Sequence, residues 1–97
     1  MSEQRGWTDT SRPLRGASVV TQRARDALVL LDLASGRYYT VEGAGDRIWE
    51  LCDGRHTLAD IVAIVTEQYG TAPATVRTDS VELLEQLGLL GLVDDAS

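Results

Sequence analysis

Lysine is absent from this chain and cysteine occurs once. All nine basic residues are arginine, they face fifteen acidic ones, and the net charge is −6. A field of that sign repels phosphate backbones, so nucleic acid is a poor partner for the chain as a whole. A single cysteine, Cys52, excludes an intramolecular disulfide framework and any C-x-x-C metal-ligand pair, and it fits a reducing compartment. The first eighteen residues hold no apolar run that could serve as a signal-peptide core, and no segment approaches the length needed to span a bilayer. These absences predict a cytoplasmic protein that uses neither membrane nor nucleic acid. Phosphate-cradling patterns are missing too: "GAG" at residues 43–45 opens a helix, but Glu42 and Asp46 flank it and would repel a phosphate.

What is present suits one small domain. The 97 residues are 43% hydrophobic and 25% charged, too apolar after residue 16 for intrinsic disorder. Residues 1–16 mix Ser, Thr, Gly, Arg and Pro without periodicity around one large apolar residue, Trp7, and read as a flexible arm. The domain is expected over residues 17–93, followed by an acidic tail, residues 94–97, in which Asp94 and Asp95 are solvated.

Within the domain, "ASVVTQ" (residues 17–22) is short and rich in β-formers, and "ALVLLDL" (residues 27–33) is a longer apolar run. The first reads as an edge strand and the second as a central one. "RYYTV" (residues 37–41) is a third strand, joined through "ASG", where glycine supplies a positive φ. The period then becomes helical. Ala44, Ile48, Leu51 and Cys52, flanked by Trp49, mark a first helix of about three turns closed by Asp53 and Gly54. Thr57 and Asp60 form an acidic variant of the capping box ahead of a second helix, about residues 58–69, that ends at Gly70. From Ala74 onward Val76, Ser80, Leu83, Leu84, Leu87 and Leu90 mark one face of a third helix, stopping between Leu87 and Leu90. The order is α+β: a three-stranded antiparallel sheet followed by a three-helix bundle, with the third strand at an open edge.

No catalytic constellation accompanies this order. Cys52 and His56 are four residues apart, but Cys52 lies on an apolar helical stripe and His56 in the following loop, with no third residue to orient the imidazole. A buried core cysteine and a solvent-facing histidine are the expectation, with no metal site and no cofactor. The notable surface is the third strand, where Arg37 is the only charge. An edge left so plain can take an incoming extended peptide, through main-chain pairing and side-chain pockets. The bland alternative is that a tyrosine covers the core and the arm shields the edge. The third helix can wall such a groove if one flank of its broad stripe turns inward and the other outward.

The segment "RYYTVEGAGDRIWELCDGRHTLADIVAIVTEQYG", followed by Val76, Asp79, Leu83, Leu84, Leu87 and "GLV", resembles the PqqD-like family, the leader-recognition domains of ribosomally made peptide natural products. The resemblance covers about residues 17–93. Its specific parts are the strand-to-helix passage with Ile48 and Trp49, the "DG" at Asp53 and Gly54, the T-x-x-D-I opening from Thr57, and the D-x₃-L-L-x₂-L-x₃-G-L spacing from Asp79. It implies a winged-helix-like domain without enzymatic activity that binds a precursor peptide's leader as an additional strand between the third strand and the third helix. The stand-alone length and Gly45 look most like the separate recognition proteins of lasso-peptide pathways. Those act with a cysteine-type leader peptidase and an ATP-dependent macrolactam synthetase, on leaders that commonly carry a Tyr-x-x-Pro element.

Two departures stand out: Glu42 replaces the Asn that relatives usually have after the strand, and Ser80 takes a place where an apolar residue is common, making that part of the groove more polar.

The peptide-binding residues expected on this basis are Arg37, Tyr38, Tyr39, Thr40 and Val41 on the strand, and Val76, Arg77, Ser80, Leu83, Leu84 and Leu87 on the helix. Arg37 or Arg77 is the expected partner for an acidic leader residue. Strand alternation separates Tyr38 and Thr40 from Tyr39 and Val41 without saying which pair meets the ligand. Three other functions compete: a winged-helix DNA-binding regulator, a recognition protein for another peptide-modifying enzyme, and a structural subunit that dimerises through its open edge. A monomer is favoured. Against DNA, Arg77 is the only base in the third helix and the C-terminal segment after it, beside Asp79, Glu82, Glu85, Asp94 and Asp95.

Overall fold

The computed structural model describes residues 6–97; the part of the expected arm that precedes Gly6 lies outside the described residues. Eight elements follow one another: β1 (Pro13–Arg15), β2 (Val19–Ala24), β3 (Ala27–Asp32), β4 (Tyr38–Glu42), α1 (Ala44–Glu50), α2 (Leu58–Tyr69), α3 (Pro73–Leu89) and β5 (Val93–Asp95). The sheet β2-β3-β4 is an antiparallel meander with β3 at its centre, and three helices cover one of its faces. This is the expected α+β, winged-helix-like architecture.

Alternation on β3 decides which face is covered. Leu28 and Leu30 are buried and pair with Val41 and Tyr39 of β4, so this set forms the sheet's contribution to the core. Ile48 and Trp49 of α1, Leu58, Ile61 and Val65 of α2, and Val76, Leu84 and Leu87 of α3 complete it, with Leu92 and Val93 at the end of the chain. The β3–β4 turn is organised by Asp32, which accepts hydrogen bonds from the Ser18 and Ser35 hydroxyls and the Ala34 N–H, while Gly36 takes the expected positive φ of 77°.

The helix boundaries follow from their caps. Thr57 Oγ1 accepts from the Asp60 N–H at 3.1 Å and Asp60 Oδ2 accepts from the Thr57 N–H at 3.0 Å, the reciprocal box that the sequence predicts. Gly70, at φ 68°, ends α2 in the left-handed conformation. Helix α3 begins with Pro73 in its first turn, where the missing N–H costs nothing. Helix α1 is shorter than expected, because the Leu51 N–H bonds to both Arg47 O and Ile48 O and the tightened turn stops at Glu50. No side chain caps its start at Gly43, so Glu42 does not take over an asparagine's capping role. The first sheet strand is displaced to Val19–Ala24 by its register, which carries pairing up to Ala24 and Ala27 around a two-residue turn.

The larger correction concerns the two ends of the chain. From Gly6 onward the expected flexible arm is docked, and β1 pairs antiparallel with β5, so Asp94 and Asp95 belong to a two-stranded sheet. Trp7 packs on the core and Ser11 and Pro13 are buried. Helix α2 explains why. The N–H groups of Leu58 and Ala59, in its first turn, have no partner within the helix. They donate to Ser11 O at 2.8 Å and Asp9 O at 3.2 Å. Gly54 N–H donates to Pro13 O, Arg15 N–H to Cys52 O and Gly16 N–H to Leu92 O, tying the arm into the body. A segment without apolar periodicity is thus fastened mainly through its backbone, which the side-chain pattern does not announce.

Candidate peptide-binding edge and its groove

Cys52 and His56 do not assemble as a nucleophile and base. Cys52 is fully buried, its Sγ donates to Ile48 O at 3.2 Å, and burial pushes its thiol up to about 12, far from a usable thiolate. His56 is half-buried rather than solvent-facing, and its Nδ1 lies 2.9 Å from Asp53 Oδ2, not against the cysteine. Among the described residues no group of three or more His, Cys, Asp and Glu converges as a metal site.

Strand β4 lies at the border of the sheet. Its register tells which backbone groups are spent on β3. The Asp32 N–H donates to Arg37 O at 2.9 Å, so in an antiparallel ladder Arg37, Tyr39 and Val41 turn their polar groups toward β3. Tyr38, Thr40 and Glu42 turn theirs outward. The side chains alternate likewise: Val41 is buried, Tyr39 half-buried against the core, and Tyr38 is 68% exposed on the uncovered face of the sheet. Tyr39 is therefore the tyrosine that faces α3.

Two adjoining open grooves, of about 570 and 290 Å³, run between β4 and α3 and share Tyr39, Asp79 and Leu83. The smaller has an apolar floor of Val41, Ala44, Ile48 and Leu83. Gly45 belongs to that floor, and a Cβ on it would meet Val41 Cβ at 3.4 Å and Leu83 Cδ2 at 3.5 Å, so its missing side chain keeps the floor deep. Asp79, Glu82, Glu85 and Gln86 rim the larger groove, and the smaller one is bordered by the Glu42 end of β4.

Of the expected site residues, Tyr39, Thr40, Val41 and Leu83 come together here. Val76, Ser80, Leu84 and Leu87 are at most 5% exposed and face the core, so the helical stripe splits and only its Leu83 flank reaches the groove. Ser80 consequently does not make the groove more polar. Arg77 is ion-paired with Asp9 of the arm, and neither Arg77 nor Arg37 lines either groove. Sequence reasoning missed the acidic rim as part of the site. Its signal was available in the helical spacing, since Asp79 and Gln86 stand four before and three after Leu83.

The sheet has a second border, β2, whose register turns the polar groups of Thr21 and Arg23 outward. A groove of about 650 Å³ beside it is spanned by fixed arginines. Arg23 holds Asp46 of α1 through two contacts of 2.7 and 3.0 Å. Arg15 lies 6.0 Å from the Trp49 ring centroid and donates to Trp49 O and Glu50 O. Charged side chains so placed obstruct strand addition. On β4 no described ion pair crosses the edge.

A chain with this geometry matches known proteins at two levels. Residues 27–93 match the family model described as coenzyme PQQ synthesis protein D (PqqD). Two solved structures share the fold. "TbiB1 in Complex with the TbiA(beta) Leader Peptide" is 28% identical, with a TM-score of 0.73 over 84% of this chain and 94% of that one. "Lasso peptide synthetase B1 complexed with the leader peptide" is 20% identical, also at TM-score 0.73, over 86% and 98% of the two chains. No curated protein matches by sequence. The family match spans well over half of the chain and includes β3, β4 and all three helices. The protein belongs to the PqqD family.

Proposed function

We propose that this protein binds the leader segment of a ribosomally made precursor peptide as a fourth strand on β4, against α3, and catalyses no step itself. The leader is handed to the enzymes that process it, a cysteine-type leader peptidase and an ATP-dependent macrolactam synthetase of a lasso-peptide pathway. The observation that carries this reading is the β4 border: outward-facing backbone groups at Tyr38 and Thr40, no ion pair across them, and an apolar-floored groove alongside. The fold shared with TbiB1, itself in complex with a leader peptide, supports it.

Main-chain pairing supplies affinity without regard to sequence, and the Tyr39–Leu83 groove supplies selectivity. The direct test is titration of a fluorescent synthetic leader of the cognate precursor peptide, followed by anisotropy. Saturable binding below tens of micromolar is expected; its absence sinks the reading. A DNA-binding role gains nothing from the structure, since the exposed flank of α3 presents Asp79, Glu82 and Glu85 and its single arginine is paired with Asp9.

A further inference from the structure

The groove beside β4 is not electrostatically neutral. Asp79 borders both of its parts, Glu82 and Glu85 the larger and Glu42 the smaller, and no arginine lines either. Among the described residues none of these four carboxylates is in an ion pair, whereas Arg23, Arg47 and Arg77 are each committed to another acid. Asp79, Glu82 and Glu85 follow one another at three-residue spacing on one exposed helical flank, so they repel one another in the free protein. Beneath them the floor of Val41, Ile48 and Leu83 is apolar.

A ligand that fits both layers places an apolar side chain on the floor and a cation at the rim. Lys and Arg do this naturally, since their stems lie along apolar surface while the charged end stays in water. We infer that the segment taken up on β4 is cationic: an extended peptide whose Lys or Arg residues flank the apolar side chain seated over Leu83. The inference rests on the strand-addition reading and adds the sign of the ligand's charge, opposite to the acidic leader residue that Arg37 or Arg77 would select. A rim of three unpaired α3 acids on a chain of net charge −6 also disfavours a second copy of this chain, nucleic acid or an anionic lipid surface at the same edge.

The test uses the fluorescent synthetic leader of the cognate precursor peptide against the wild-type protein and the Asp79→Asn, Glu82→Gln, Glu85→Gln triple variant, at about 50 and about 300 mM NaCl. All three positions are exposed, so the variant keeps its fold, which circular dichroism verifies. The triple variant is expected to bind about tenfold more weakly at low salt and to show a shallower salt dependence than wild type. Glu82→Lys weakens binding as well, and replacing a leader base by Glu restores it. Saturable binding that ignores the triple substitution and salt, or a leader without Lys or Arg that binds equally well, overturns the cationic preference and leaves strand addition standing. No saturable binding by wild type overturns both.

Discussion

Ser80 sits fully buried on α3, and its hydroxyl has no hydrogen-bond partner among the described residues. An unsatisfied buried hydroxyl costs free energy, and alanine is also the better helix former. Ser80→Ala is therefore expected to raise the unfolding free energy by about 1 kcal/mol in urea titrations and to leave leader affinity unchanged. A loss of stability would mean that the hydroxyl is satisfied. Asp53 is the opposite case, a polar group with many partners. The His56 N–H, then the Arg55 N–H and the His56 ring, hold its carboxyl well below the usual carboxylate range against the opposing effect of desolvation. The Ser18 and Ser35 hydroxyls hold Asp32 low in the same way. Because these native values lie below the unfolded value of about 3.9, the unfolded chain takes up protons first as the pH falls. Their stabilisation is complete above the unfolded value and is lost below it. The melting temperature should drop as pH is lowered from about 5 to about 3, and Asp53→Asn should start lower at neutral pH and lose less.

Strand β4 and the docked arm each make a claim about a whole element. Because Thr40 turns its N–H away from β3, Thr40→Pro removes no bond from the existing ladder, and proline is tolerated at such a border position. The variant should fold, with leader affinity reduced about fivefold or more through the lost main-chain donor. Unchanged affinity in a folded variant would put the peptide elsewhere. For the arm, a chain starting at residue 17 loses β1 together with the acceptors for the first turn of α2 at Ser11 O and Asp9 O. It should be about 3–5 kcal/mol less stable in urea titrations, and a smaller deficit than about 1 kcal/mol would show the arm to be dispensable.

These two elements also mark how far the sequence could be read. The meander, the helix order and the Thr57–Asp60 box follow from period changes and cap residues that act locally. The β1–β5 pairing joins residues more than seventy positions apart through backbone groups, and no local pattern carries it. The split of the α3 stripe was legible only as a possibility. Apolar and small residues at mixed spacing say that the face is broad, and only packing against β4 decides that Leu83 faces the groove while Leu84 faces the core.

At the scale of the whole molecule, the sheet offers two borders of different character. The β2 side is spanned by Arg15 and Arg23, each tied to α1, and the β4 side is open, apolar at its floor and acidic at its rim. One face of the meander is spent on the core and the other leaves Tyr38, at 68% exposure, in solvent. On the strand-addition reading the leader pairs at β4 and not at β2. Amide hydrogen exchange read residue by residue by NMR, with and without the leader peptide, tests it most directly. Tyr39 and Val41 should be protected in the free protein, and Tyr38 and Thr40 should gain protection only when the leader is bound. Protection that appears instead at Thr21 and Arg23 of β2, or at neither border while the leader is bound, would contradict that reading.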